Sequence, residues 1–209
     1  MPEKTVQKEP GKKPVPSKKP KPQQEVVVQI SLSELHPFPD HPFQVREDAS
    51  MQETAESVKE YGVLVPALAR PREDGGYELI AGHRRKHACE LAGLDPMPVI
   101  VRDIDRDAAT IIMVDSNLQR ENILPSERAK AYKMKMEAIK RQGARTDLTS
   151  PKISAKFRSD DEVGQDAGVS GDTIRNYIAL TQLVPELQQM VDEKKIALSP
   201  AYQIAALTP

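Results

Sequence analysis

The sequence has no tryptophan, three phenylalanines and one cysteine in 209 residues. With aromatic residues at 4%, any core must be built mainly from aliphatic side chains. A lone cysteine, Cys89, excludes an intramolecular disulfide framework and fits a reducing cytoplasm. Long apolar runs are missing as well: nothing approaches the roughly 18 residues that suggest a membrane span. The lysine-rich start is followed by no apolar stretch, so it does not read as a secretory signal. The charge has no dominant sign either. The formal net charge is −1, and any case for a nucleic-acid partner has to be local.

What is present suits one or two small domains, with 38% hydrophobic and 29% charged residues. Residues 1–24 hold seven Lys, two Glu and six Pro and almost nothing apolar, which predicts a disordered basic tail. After it, "EVVVQISL" (25–32) reads as a strand and the proline-rich 36–48 as a loop. Residues 50–62 read as a helix with Ser50 as N-cap and Gly62 as its stop. "ALARP" and "YELIA" read as two strands joined by "REDGG", and "MPVIVRD" (97–103) as another. Helices follow at 105–119 and 125–142, the second with a stripe of Ala129, Tyr132, Met136 and Ile139. Residues 143–157 read as a linker. The remainder, 158–209, is helical throughout, at 160–167, 170–182, 185–194 and 199–207. The outline is α+β: a mixed domain over 25–142 followed by an all-α domain.

Three stretches carry chemistry. "GHRRKHACELAG" (82–93) places one glycine and then five basic residues at the start of a helix. A helix start is already electropositive, with backbone N–H groups that lack partners. Gly82 would let backbone approach an anion, and Arg84 and Arg85 would bind phosphate oxygens bidentately. The same stretch also suits a solvated basic face whose arginines pair with nearby acids. His83 and His87 lie four apart, but Arg84 stands where a zinc protease carries its glutamate, so no metal site is expected. Cys89 reads as a packing residue. "DSNLQRENILP" (115–125) gathers amides and Arg120 near a helix end, where they could bracket a nucleotide or simply end the helix. "DDEVGQDAGVSGDTIRNYIAL" (160–180) reads as two short helices with a glycine turn. Ser170 is the N-cap, Ile174 and Ile178 face inward, and Thr173, Arg175, Asn176 and Ala179 face outward, as groove-reading side chains would. Residues 158–209 hold four Lys/Arg against eight Asp/Glu, whereas 125–157 hold nine against three. DNA affinity leans on cations, so the basic helix and linker would have to contribute.

Together these pieces resemble the ParB partition-protein family across about 26–207. "HPFQVRED" is similar to its N/H-P-x-Q-x-R box, and "EYGVLVPALARP" to G-x-x-x-P-x-x-x-R-P with Val65 in place of the usual Gln. "AGHRRKHA" resembles G-E-R-R-x-R-A, and "SNLQRENILPSERAKAY" resembles E-N-L-Q-R-E-x-L-x-P-x-E-E-A-x-A-Y. The likeness is closest to members on mobile and conjugative elements of Gram-positive bacteria. It implies a sulfiredoxin-like N-terminal domain that binds CTP, with or without Mg²⁺, through Gly82, Arg84, Arg85, Asn117, Gln119, Arg120, Gln44 and Arg46. It also implies a helix-turn-helix reading a palindromic duplex through Ser170, Gly171, Asp172, Thr173, Arg175 and Asn176. Homodimers, a ParA-type ATPase partner and a cytoplasmic, nucleoid-associated location come with it.

The departures carry their own expectations. The family's box glutamate is His83 here, and the Glu of E-N-L-Q-R is Ser116; hydrolysis should be slow or absent unless Asp115 or Glu121 takes over. Gly171 replaces a usual Arg, implying a DNA site other than the family's common one. The family's C-terminal dimerisation domain is not found in these 209 residues. Two rivals remain. One is a transcription regulator without nucleotide control. The other is an enzyme on the same fold, whether kinase-like or sulfiredoxin-like, though the sulfiredoxin cysteine is Gly82 here.

Overall fold

The computed structural model describes residues 25–120, 122–147 and 159–207. The expected tail, most of the expected linker and Glu121 lie outside these residues. The chain runs β1 (Val27–Ile30), β2 (Leu35–Pro37), α1 (Ala49–Tyr61), β3 (Ala67–Pro71), β4 (Tyr77–Ala81), α2 (His83–Ala92), β5 (Met97–Val101), α3 (Arg106–Leu118) and α4 (Pro125–Asp147). Then come α5 (Ser159–Ala167), α6 (Gly171–Ala179), α7 (Pro185–Asp192) and α8 (Leu198–Leu207).

The five strands form one sheet in the order β1-β5-β3-β4-β2. β1 runs antiparallel to β5, and β3 antiparallel to β4, while β3–β5 and β2–β4 are parallel. Successive strand residues point to opposite faces, and both faces are covered. Leu79, Ala67, Ala69 and Val99 pack towards Met51 and Val58 of α1 and Ala88 and Cys89 of α2. Ile80, next to Leu79, packs on the other side with Ala109, Met113 and Val114 of α3 and Ala131 of α4. Phe38 and Phe43 close this second core, so two of the chain's few aromatic rings sit between loop and helix.

α4 is shared. Ala131 and Met134 face α3, while Ala129 and Tyr132 face the helical region. There Tyr132 packs with Val163 of α5 and Ile174 of α6. Tyr132, Tyr177 and Tyr202 stack edge to face, with the Arg128 guanidinium over the Tyr177 ring at 5.7 Å. Burial and the neighbouring Tyr177 push Tyr202 up to about 12. The seam also holds polar anchors. Asp192 of α7 accepts from Ser126 N at 2.9 Å and Ser126 Oγ at 2.6 Å. The Lys135 ammonium, 1% exposed, donates to Asp115 of α3 at 2.7 Å and to Asp166 of α5 at 2.9 Å.

The α+β fold class holds, and three local readings change. Residues 35–37, the last two of them expected in a loop, make the edge strand β2; Pro37 is tolerated because an edge strand leaves backbone groups unpaired. α1 is capped by Asp48, whose Oδ1 accepts from Met51 N at 2.9 Å, and not by Ser50, which lies inside the helix. α4 continues to Asp147, into the expected linker. No described helix is long and apolar enough to cross a membrane.

Candidate anion site and helix pair

β4 ends at Ala81 and α2 begins at His83, with Gly82 between them at φ 111°. That left-handed backbone suits glycine. A Cβ here would also lie 2.8 Å from the Ala67 Cβ, so the turn presses directly on β3. Gly82 brings no side-chain cap, which leaves the first α2 N–H groups to other partners.

The five basic residues divide into two sets. Lys86 and His87 turn away: Lys86 Nζ donates to Leu35 O at 2.8 Å and pairs with Glu90 at 3.5 Å, and His87 faces Glu47 and Glu90. These two therefore lie outside the cavity, held by carboxylates and a backbone carbonyl. His83, Arg84 and Arg85 instead line a cavity of about 230 Å³ together with Gln44, Asn117 and Arg120. A contiguous cavity adds Arg46, Ser50 and Glu127. Arg84 reaches Ser50 Oγ at 3.2 Å and Asp48 at 3.7 Å. Arg85 donates through Nη1 to the Val65 and Pro66 carbonyls at 2.7 and 2.6 Å, and burial lowers its pKa. It therefore braces the loop before β3 as well as facing the cavity.

Of the nucleotide residues expected from sequence, the structure brings Gly82, Arg84, Arg85, Gln44, Asn117 and Arg120 to one cavity and Arg46 to its extension. It does not bring Gln119, which lines a different cavity with Asp115, Arg128 and Asp166, between α3, α4 and α5. Asp115 is on that same far side, bound to Lys135. Ser116 faces the cleft, but its hydroxyl donates to Met113 O at 2.9 Å. None of the described residues lining the cavity at the start of α2 carries a carboxylate. Mg²⁺ prefers hard oxygen ligands, so the residues lining this cavity do not fit a protein-held Mg²⁺; the carboxylates of its extension, Asp48 and Glu127, pair with Arg84 and Arg46.

His41 is the cleft residue that sequence reasoning missed. Its ring lies against His83, centroids 4.0 Å apart and tilted 46°. Its Nδ1 is 2.8 Å from Phe43 O. A carbonyl only accepts, so neutral His41 carries its proton on Nδ1 and a lone pair on Nε2. Burial lowers the pKa of His41 and, with the neighbouring His41 and Lys86 charges, pushes His83 down to about 3. The available signal was the H-P-x-Q box itself, whose histidine precedes Gln44.

The helix pair α5–α6 turns at Gly168, φ 69°, where Val169 N donates to Gly164 O at 2.8 Å. Ser170 caps α6, accepting from Thr173 N at 3.2 Å. Ile174 is buried, Ile178 half-buried; Asp172, Arg175 and Asn176 are exposed, and Thr173 and Ala179 half-buried. Gly171 is buried, and a Cβ there would clash with Asp161 Oδ1. Arg175 pairs with Asp160 and Asp172, so an approaching phosphate would compete with two carboxylates.

Residues 16–118 match the ParB N-terminal domain. The chain is 34% identical over 184 residues to the chromosome-partitioning protein Spo0J of Thermus thermophilus, covering 88% of this chain and 61% of that one. It is 31% identical over 175 residues to the stage 0 sporulation protein J of Bacillus subtilis, covering 84% and 56%. It thus spans little more than half the length of these relatives. A crystal structure of C-terminally truncated chromosome-partitioning protein ParB from Caulobacter crescentus, complexed to the centromeric parS site, matches with 26% identity and a TM-score of 0.55, covering 86% and 84%. With the sheet, the cleft after β4 and the α5–α6 pair in the same chain order as the sequence boxes, the protein belongs to the ParB family of partition proteins.

Proposed function

We propose that this chain is a nucleotide-controlled, sequence-specific DNA-binding protein of the partition type. Its nucleotide unit would span 25–142 and its DNA unit 158–209. The observation that carries the reading is the meeting of Gly82, Arg84, Arg85, Gln44, Asn117 and Arg120, from three separate stretches, around one cavity at a helix N-terminus. Such a site suits a triphosphate: backbone N–H groups, the helix dipole and guanidinium forks act on the same anion. The choice of CTP follows from the family resemblance. The Caulobacter relative's complex with parS supports duplex DNA as the other ligand. Ser170, Asp172, Thr173, Arg175 and Asn176 present the reading face, and Gly171 lets α6 start tightly against α5. Homodimerisation, a ParA-type partner and a nucleoid-associated location complete the proposal.

Hydrolysis should be slow. Phosphoryl transfer works mainly by positioning and charge stabilisation. His83 and Ser116 stand at the cleft, none of the described residues lining the cavity at the start of α2 carries a carboxylate, and the carboxylates of its extension, Asp48 and Glu127, pair with Arg84 and Arg46. Nucleotide release would then reset the protein.

Calorimetric titration with CTP, ATP, GTP and UTP tests the nucleotide reading. CTP should bind best, and Arg84→Ala should weaken it roughly ten- to a hundredfold, as loss of a charge-assisted bond does. No binding of any nucleotide would refute it. Selection from a random duplex pool tests the DNA reading: it should converge on a palindrome, and a pool that never converges would sink site-specific recognition. Convergence without nucleotide binding would favour the plain regulator.

A further inference from the structure

The outer face of α6 poses a charge problem for a DNA-reading helix. Arg175 is the only lysine or arginine from Ser159 to Glu193, the stretch that holds α5, α6 and α7. It shares the outer stripe of α6 with Asp172, Asn176 and Ala179, at helical spacing. Its guanidinium is already engaged: Nη1 donates to Asp160 of α5, and Nη2 donates to Asp172, one turn back on α6. We propose that Arg175 reads a guanine and not a phosphate, the two aspartates fixing its guanidinium so that its remaining donors meet O6 and N7 of one guanine in the major groove. The inference rests on the DNA-binding reading above and names the base that this face selects.

Charge decides against the phosphate role. A guanidinium flanked by two carboxylates is a group of net negative charge, which repels a phosphate and has no counterion to release from it. Guanine O6 and N7 are neutral acceptors, and the flanking carboxylates do not oppose them. The fork stays usable as well. The bonds to the aspartates take one N–H of Nη1 and one of Nη2. The other N–H of each and that of Nε remain, enough for the bidentate contact that arginine makes with guanine. The side chain is 44% exposed, so a base edge can reach it. The two aspartates differ in setting. Asp160 is buried in the seam between α5 and α6, whereas the Asp172 side chain is 80% exposed. The first anchors the guanidinium, and the second holds it along the outer stripe. A half-exposed ion pair contributes little to stability, so tying α5 to α6 does not account for a second carboxylate on the same cation. Asp160 and Asp172 are thus positioning residues for the arginine, and any backbone affinity has to come from cations outside 159–193.

The test uses the full chain and the duplex that the random pool yields. Each base pair of a half-site is exchanged in turn, each guanine is separately replaced by 7-deazaguanine, which lacks N7, and affinity is measured over a series of KCl concentrations. One guanine per half-site should stand out, its exchange for adenine weakening binding roughly ten- to a hundredfold and its 7-deaza form weakening it about fivefold or more. Arg175→Ala should abolish the preference at that guanine, keep the preferences at the other positions and leave the salt slope unchanged. Asp172→Asn, at an exposed position, releases the guanidinium: the guanine preference should fall roughly three- to tenfold, and the salt slope should steepen by about 0.9 per half-site as the arginine turns to a phosphate. A half-site without such a guanine overturns the proposal while site-specific recognition stands. So does an Arg175→Ala slope shallower by about 0.9 per half-site, the mark of a phosphate contact. Uniform loss at every position in Arg175→Ala, with slope and preference unchanged in Asp172→Asn, overturns it in favour of a brace between α5 and α6. A pool that never converges overturns the DNA reading and this proposal with it. The 7-deazaguanine series on the unmodified chain and the slope of Asp172→Asn decide the matter even where Arg175→Ala fails to fold.

Discussion

The Lys135 cluster ties three helices together, and its energetics can be worked from the geometry. The ammonium is 1% exposed and is held by Asp115 at 2.7 Å and Asp166 at 2.9 Å, carboxylates that are themselves 46% and 56% exposed. Removing either aspartate leaves the ammonium one partner. A hydrogen bond to a charged group contributes about 1.5–3 kcal/mol, but solvent screening at half-exposed carboxylates brings each single Asp→Ala loss down to about 1 kcal/mol. Removing both leaves a buried charge with no counter-charge, which costs about 3–5 kcal/mol. The coupling between the two aspartates is then about 1–3 kcal/mol, well above the ~0.3–0.5 kcal/mol scatter of independent sites. Lys135→Met keeps the volume and deletes the buried charge, so it should cost no more than about 1.5 kcal/mol.

Urea unfolding followed by circular dichroism at pH 7 on the four chains of the cycle, plus Lys135→Met, measures these quantities. Strict additivity of Asp115→Ala and Asp166→Ala would refute the shared-ammonium argument. So would a Lys135→Met variant less stable than the double aspartate variant. The pH dependence adds a sign. Burial works to lower the Lys135 pKa, but the hydrogen bonds and charges of the two aspartates outweigh it and raise it above the usual 10.5. A raised lysine pKa stabilises the fold fully below the unfolded value and loses that contribution as pH climbs through the folded one. The gap between wild type and Lys135→Met should therefore persist at neutral pH and shrink only in strong alkali.

On the acid side the sign reverses. Between about 6.5 and about 3 the unfolded chain takes a proton at His83 that the folded chain refuses. Stability should then fall with falling pH, by up to about 1.4 kcal/mol per pH unit for this group. His83→Asn should flatten that slope in melts from pH 4 to 7, and an unchanged slope would refute the cause. Cys89 is buried in the core below α2, and burial with the nearby Glu90 and Asp95 charges raises its thiol pKa. A thiol reagent should therefore label it far more slowly in the native chain than in urea, and equal rates would contradict its placement. Gly164→Ala should destabilise by about 1–3 kcal/mol through overpacking, because its Cβ would meet the Val169 carbonyl at 2.6 Å. Gly171→Ala should cost less, since the clash there is with the end of the Asp161 side chain, which can turn away; the reverse order in thermal melts would refute this.

Much of the architecture was legible because it is written in local period and punctuation. The strands at 67–71, 77–81 and 97–101 alternate or run apolar, and Gly82 and Gly93 bracket α2. β2 was not legible: three residues with one proline carry no periodic signal, and they form a strand only because β4 offers a parallel edge. The true α1 cap was hidden because Asp48 and Ser50 are both good caps two residues apart, and the choice falls to the one whose side chain reaches Met51 N. His41 was hidden in a proline-rich loop, and its neighbour in space, His83, lies 42 positions away in the chain.

The polar run at 115–120 shows why adjacency in sequence is a poor guide to a site. Successive helical residues turn by about 100°, so a run of polar residues cannot all look the same way. Asp115 points to Lys135 and the helical region, Ser116 and Asn117 point to the cleft, and Gln119, two steps past Asn117 and about 200° round by the same geometry, faces back towards Arg128 and Asp166. Arg120 returns to the cleft, with Nη1 3.4 Å from Asn117 Oδ1. The last turn of α3 therefore has one face in the anion site and one face on the seam with α5. The same helix end that contributes Asn117 to the cleft anchors, through Asp115, the ammonium that α5 also holds. The family box could be read in one dimension as a single cluster, but its residues serve two sites because the helix end that carries it borders two different cavities.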